Sequence, residues 1–92
     1  MKVIDLTSAD YVHVRAPSIP DFLSIRTQEL VNLDGNQVGV IVGKKSLSLK
    51  GVLCQPGIVH PGFKGYLEPF FVVYGNWVAQ PGEKIAHLII LR

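Results

Sequence analysis

Three features of the 92-residue sequence predict an all-β domain. Val and Ile together number 20, and their branched side chains suit a pleated surface. Nine Gly and six Pro punctuate the chain, which keeps every uninterrupted run short. The runs between them lack a sustained helical period. In order they are Tyr11 to Val14, Phe22 to Leu33, Val38 to Val42, Tyr66 to Tyr74 and Ile85 to Leu91. Pro56-Gly57, Pro61-Gly62 and Pro81-Gly82 are three turn signals. Ser24 to Leu33 is the one helix candidate, and Thr27 and Val31 argue for a strand there instead. Val-Gly-Val-Ile-Val at 38–42, Phe-Phe-Val-Val at 70–73 and Leu-Ile-Ile-Leu at 88–91 are apolar without alternation. Such strands are covered on both faces. In an antiparallel fold that means a sandwich interior on one side and a subunit contact on the other. Many short strands with Gly/Pro turns favour a sandwich or barrel.

Composition narrows the class. The length allows one domain. Charged residues make up 17% of the chain, against about 25% in average proteins, and 48% is hydrophobic. Disorder needs the opposite balance. The net charge of +2 is too small to argue for nucleic acid. No apolar run approaches the ~18 residues of a membrane helix, so no membrane partner is expected. Asp5 interrupts the first apolar stretch, so no signal peptide is expected either. The single Cys54 excludes an internal disulfide, and a reducing, cytoplasmic setting is the expectation. A short chain this apolar should hide surface against copies of itself.

Two segments carry candidate chemistry. Gly43-Lys44-Lys45-Ser46-Leu47-Ser48-Leu49-Lys50-Gly51 sets three lysines and two serines between glycines. Backbone amides freed by Gly, hydroxyl donors and ammonium charges suit a phosphate; a plain solvated loop is the competing reading. It lacks the spacing of a nucleoside-triphosphate P-loop. Pro56-Gly57-Ile58-Val59-His60-Pro61-Gly62-Phe63-Lys64-Gly65 reads as a stiff, tightly turned hairpin with Phe63 at its tip. It could present backbone donors and acceptors to a base, or be structural only. His13, His60 and His87 are too dispersed for a zinc site. Cys54 has no nucleophile context, and no Gly-x-Ser-x-Gly elbow is present.

The order of these segments resembles the dCTP deaminase and trimeric dUTPase superfamily over residues 20–92. Pro20-Asp21-Phe22-Leu23 with Thr27-Gln28-Glu29-Leu30-Val31 resembles the stretch before that family's core sheet. Gly43-Lys44-Lys45-Ser46-Leu47 is similar to its Gly-Arg-Ser-Ser-Leu phosphate motif. The segment from Pro56 to Gly65 resembles its Gly-x-Ile-Asp-Pro-Gly-Phe-x-Gly hairpin. Pro81-Gly82-Glu83-Lys84-Ile85-Ala86-His87-Leu88 resembles its Pro-Gly-x-Lys-Ile-x-Gln-Leu strand, and Ser8-Ala9-Asp10-Tyr11 its first motif. The resemblance implies a distorted jelly-roll β-sandwich, a homotrimer, and dUTP or dCTP sites between subunits. Lys44 would bind phosphate and Ser46 would be the phosphate-contacting hydroxyl. Gly57, Ile58 and Gly65 of the hairpin would read the pyrimidine, Phe63 would stack on the deoxyribose, and His87 would stand where a Gln does. Mg2+ would ride on the triphosphate without a protein cage, with Asp10 the candidate for holding the ion's waters.

Departures from the pattern bear on activity. The hairpin Asp that serves dUTPases is His60 here, and an imidazole can act as a base with different geometry. The deaminases' catalytic Glu falls near Phe70, which has no acid–base chemistry. Glu68, two residues away on the same strand face, is the carboxylate a shifted register would supply. Lys44 offers a point charge in place of a forked Arg. Arg92 follows the fourth motif, so the Gly-rich arm that closes over the triphosphate is expected to be absent. Three readings follow: a nucleotide-binding protein of weak or no activity, a minimal dUTPase using His60, and a trimeric scaffold.

Overall fold

A computed structural model describes residues 1–15 and 19–92. Eleven strands and one helical turn follow in order. They are β1 (Lys2–Thr7), β2 (Val12–Val14), β3 (Asp21–Ser24), β4 (Leu30–Asn32), β5 (Val38–Gly43) and α1 (Lys45–Ser48). Then come β6 (Val52–Cys54), β7 (Gly57–Val59), β8 (Lys64–Tyr66), β9 (Phe70–Val73), β10 (Trp77–Ala79) and β11 (Lys84–Leu91). An antiparallel sheet runs β1-β11-β5-β7, and a second runs β3-β9-β6. The pairs β2-β10 and β4-β8 complete the sandwich. No helix among the described residues is long and apolar enough to cross a membrane.

The run from Phe22 to Leu33 is extended, as its composition predicts, but it is two strands rather than one. Its ladder partner is the segment from Lys64 to Val73, where Tyr66 faces Leu30 and Phe70 faces Ser24. Pro69 on the partner has no N–H to donate, which breaks the ladder between them. The Ile25 and Thr27 amides donate to the Pro69 and Leu67 carbonyls at 3.1 and 3.0 Å. Gln28 then turns away and donates to the Thr7 carbonyl at 3.0 Å. Glu29 fixes that departure by accepting from the Thr7 amide at 2.7 Å and from the Thr7 hydroxyl.

Two of the three Pro-Gly pairs make turns. Gly62 and Gly82 have φ of 84° and 86°, the left-handed conformation that position i+2 of a type II turn requires. Pro56-Gly57 instead carries the chain straight from β6, in one sheet, to β7, in the other. Proline suits that crossing because neither ladder needs its missing N–H. The hairpin expected between Gly57 and Gly65 is also corrected. Its arms do not pair with each other: β7 joins β5 and β8 joins β4. The helical turn α1 is a further difference. It is too short to leave a period in the sequence, and buried Leu47 pins it to the core.

Apolar runs without alternation resolve into alternating burial. Along β5, Gly39 and Ile41 face inward, while Val38, Val40 and Val42 are half-buried on the outer face. Cross-strand register extends that outer face. Val3, Ile89, Val40 and Ile58 line up across all four strands, and Val38 lies beside Leu91. Ile58 is 62% exposed and Val3 54%. Inside, Leu6, Phe71, Val73, Ile85, Ala86 and Leu88 are fully buried, and Phe71 packs against Trp77 with ring centroids 5.8 Å apart.

Candidate functional site

The predicted phosphate segment sits where β5 passes into α1. Lys44 is extended (φ −88°, ψ 130°), and its carbonyl starts the helical turn by accepting from the Leu47 and Ser48 amides at 3.1 and 3.0 Å. Continuing the strand alternation, Lys44 falls on the outer face shared by Val40 and Val42. Ser46 is exposed on the turn. Gly43 lets the chain pass close to β6, since a Cβ there would lie 3.1 Å from the Cys54 Cβ. Burial pushes the Cys54 thiol up to about 11, so it stays protonated at neutral pH and is no nucleophile.

The Pro-Gly turn lies at the other end of β7. Phe63 N–H donates to the His60 carbonyl at 3.2 Å, and Gly62 N–H to the Asp34 carbonyl at 3.1 Å. His60 is exposed at the first turn position. Phe63 is not displayed at the tip. It closes the turn, half-buried against the core, with its ring 3.6 Å from where a Cβ on Gly65 would sit. Gly57 and Ile58 lie between the two regions, with Ile58 turned outward beside Val40. Val59 pairs with Gly39, whereas Lys44 lies beyond the opposite end of that ladder. From Val38 to Lys44 is six residues, or roughly 20 Å of strand rise. One chain therefore holds Lys44 and Ser46 at one end of the sheet and His60 and Phe63 at the other.

His87 belongs to the Lys44 end. It faces Val42 on β5 and Asp5 on β1, so Lys44 is its diagonal neighbour on the outer face, roughly 7–8 Å away between backbones. Its Nδ1 lies 2.9 Å from Asp5 Oδ1, and Lys84 Nζ lies 3.2 Å from Asp5 Oδ2. The Lys84 ammonium, and after it the His87 ring, hold the Asp5 carboxyl below its ordinary value of 3.8. Sequence reading did not find Asp5 or Lys84 as partners of His87. Asp5 and His87 are 82 residues apart and meet only through β1–β11 pairing.

Glu68 is exposed in the stretch between β8 and β9 and, like Phe70, points away from buried Leu67 and Pro69. Asp10 is exposed, with its backbone tied to the Ser8 hydroxyl, which donates to the Asp10 carbonyl at 2.7 Å. A cleft of about 350 Å³ between Ala9, Arg26, Thr27, Gln28 and Tyr66 includes none of the predicted contact residues. Asp34, also missed, lies beside the turn, with its carboxylate paired to Arg92 at 3.3 Å. Among the described residues, no three His, Cys, Asp or Glu side chains converge on a metal position.

Comparison with known proteins bears on the fold. No family model matches the chain. The dUTPase of Staphylococcus bacteriophage 80alpha, in a mutant form with dUpNHpp, superposes on 95% of this chain and 76% of its own, with TM-score 0.81 and 19% identity. A dUMP-forming dCTP deaminase of Salinispora tropica is 35% identical over 96% of this chain. In sequence and in fold the chain is similar to the dUTPase and dCTP deaminase superfamily. Its sandwich is that superfamily's jelly roll. A mutant dUTPase of the S. aureus phage phi11, described as coordinating a structural Mg(II) ion, superposes on 95% of this chain and 74% of its own, with TM-score 0.80 and 19% identity. The Gag-Pro-Pol polyprotein of simian retrovirus SRV-1 is 30% identical over 96% of this chain. The chain spans half the length of the deaminase and 5% of the polyprotein.

Proposed function

We propose that this chain forms a homotrimeric pyrimidine deoxynucleotide-binding protein with little or no catalytic power. The separation of its two site regions carries the reading. Lys44 and Ser46 stand roughly 20 Å, and His87 roughly 13 Å, along the sheet from the His60–Phe63 turn. A nucleotide could touch both sets only if a second copy supplied one of them. The outer face of Val3, Val38, Val40, Ile58, Ile89 and Leu91 is the apolar surface on which copies would meet. In that assembly Lys44 and Ser46 hold phosphate and the turn of a neighbouring copy reads the base and sugar. The dUpNHpp complex of the related phage dUTPase supports the ligand class. Any Mg2+ would ride on the triphosphate, with Asp10 the candidate for holding the ion's waters.

Weak turnover follows from the turn. The residue ahead of Pro61-Gly62 is His60, and Lys44 gives a point charge rather than a fork. The second reading, an active dUTPase, draws on the exposure of His60, which leaves its ring free to meet a water. Assays of dUTP hydrolysis with magnesium on the wild type and on His60→Asp separate the two. General-base catalysis is typically worth ~10²–10⁴-fold. We expect wild-type turnover near background and a gain below about tenfold in His60→Asp, because catalytic parts altered together act as a unit. Ready wild-type hydrolysis would support the second reading. A gain of a hundredfold or more would mean the carboxylate is the one missing part.

A further inference from the structure

We propose that Asp5 is a positioning residue for His87, and that it makes His87 a second phosphate ligand at the Lys44 end, competent only when its ring is protonated. This deepens the nucleotide-binding reading and rests on it. Asp5 sits beside His87 in the β1–β11 register, with Nδ1 and Oδ1 2.9 Å apart. Lys84 takes the other carboxylate oxygen at 3.2 Å and keeps Asp5 ionised. An ionised carboxylate only accepts, so the ring proton stays on Nδ1, which donates to Asp5. No hydrogen bond among the described residues reaches Nε2, and that atom is not among buried polar atoms without a partner, so it is open to solvent.

The fixed tautomer decides what the ring can do. In a neutral imidazole one nitrogen donates and the other accepts. With Nδ1–H committed to Asp5, neutral His87 presents a lone pair at Nε2, which repels a phosphate oxygen. Protonation converts Nε2 into a cationic donor beside Lys44. The groups facing the ring are few. β1 offers Asp5, β5 offers apolar Val42 and, diagonally, Lys44, and β11 itself contributes Lys84. Asp5 stays ionised throughout the span in which imidazoles titrate, since its pKa lies below 3.8. Affinity for phosphate is therefore highest on the acid side and is lost as pH rises and the ring discharges.

The test is calorimetric titration of the full chain with dUTP, and separately with inorganic pyrophosphate, from about pH 5 to 8. Dividing each affinity by that of His87→Gln removes the ligand's own titration. The wild-type ratio should be about tenfold at the acid end and fall to about one or below at the alkaline end, since an ionised hydrogen bond to phosphate is of that order and the Gln amide can still donate. Asp5→Asn should flatten the profile, because the ring is then free to place its neutral proton on Nε2. Nitrogen shifts of His87 in the wild type should report the Nδ1–H tautomer at alkaline pH. A flat wild-type ratio with dUTP bound overturns this proposal and leaves the nucleotide reading standing. The predicted step with pyrophosphate but no dUTP binding does the reverse. Binding of neither overturns both. An unchanged step in Asp5→Asn, or an Nε2–H tautomer, removes the role given to Asp5.

Discussion

Val40→Asp is expected to leave a folded monomer of about the 10.1 kDa chain mass that no longer binds nucleotide, where the proposed trimer has three times that mass. Val40 lies near the centre of the apolar outer face, between Ile89 on β11 and Ile58 on β7. Its side chain points away from the core, so a carboxylate there stays hydrated in the single chain. Closing an assembly over it would strip that hydration, and Ile89 and Ile58, which face it across the ladders, offer no counter-charge. An unpaired buried charge costs several kcal/mol, enough to cancel a modest interface. Nucleotide affinity should be lost together with mass, because the Lys44 end and the His60 turn of one chain cannot share a ligand. Sedimentation and a thermal melt check both halves of the expectation. A variant that keeps the wild-type mass would mean that copies meet on another face.

Phe71→Ala should destabilise the protein by about 3–5 kcal/mol, a large share of the ~5–15 kcal/mol available to a small domain. Phe71 is fully buried on the central strand β9, between Leu23 and Cys54, with Trp77 against its ring. Its deletion leaves a cavity that stiff neighbouring strands cannot close. Phe70→Ala, one residue earlier, should cost no more than about 1 kcal/mol. Phe70 is 41% exposed and stacks only on Phe22, with centroids 6.2 Å apart. Urea midpoints at one fixed protein concentration make the comparison, since assembly shifts apparent stability. Equal losses for the two variants would contradict the register of β9.

That pair of phenylalanines marks the limit of what the residues alone convey. Phe-Phe-Val-Val is legible as a strand, but not which ring is inside, because the run is apolar on both faces. Pro61-Gly62 and Pro81-Gly82 are legible as turns because the positive φ they need is local. Pro56-Gly57 has the same signature and is no turn, since its conformation is set by β6 and β7 joining different sheets. Lys44, Ser46, His60 and Phe63 are singled out as candidates by local motifs. Their separation along the sheet is not legible there, because it depends on which strands pair. Asp5 beside His87 is the clearest omission: nothing within several residues of either signals the other.

Titration of the protein with dUTP and dCTP against UTP and CTP, in magnesium and with the nucleotide recovered afterwards, tests the central claim most directly. Sites that hydrogen-bond or exclude a single hydroxyl discriminate by at least tenfold. We expect binding of a pyrimidine deoxynucleotide by the assembled protein, at least about tenfold weaker binding of its ribo counterpart, and recovery of the ligand unchanged. Failure of all four nucleotides to bind, or rapid conversion of dUTP to dUMP, would contradict it.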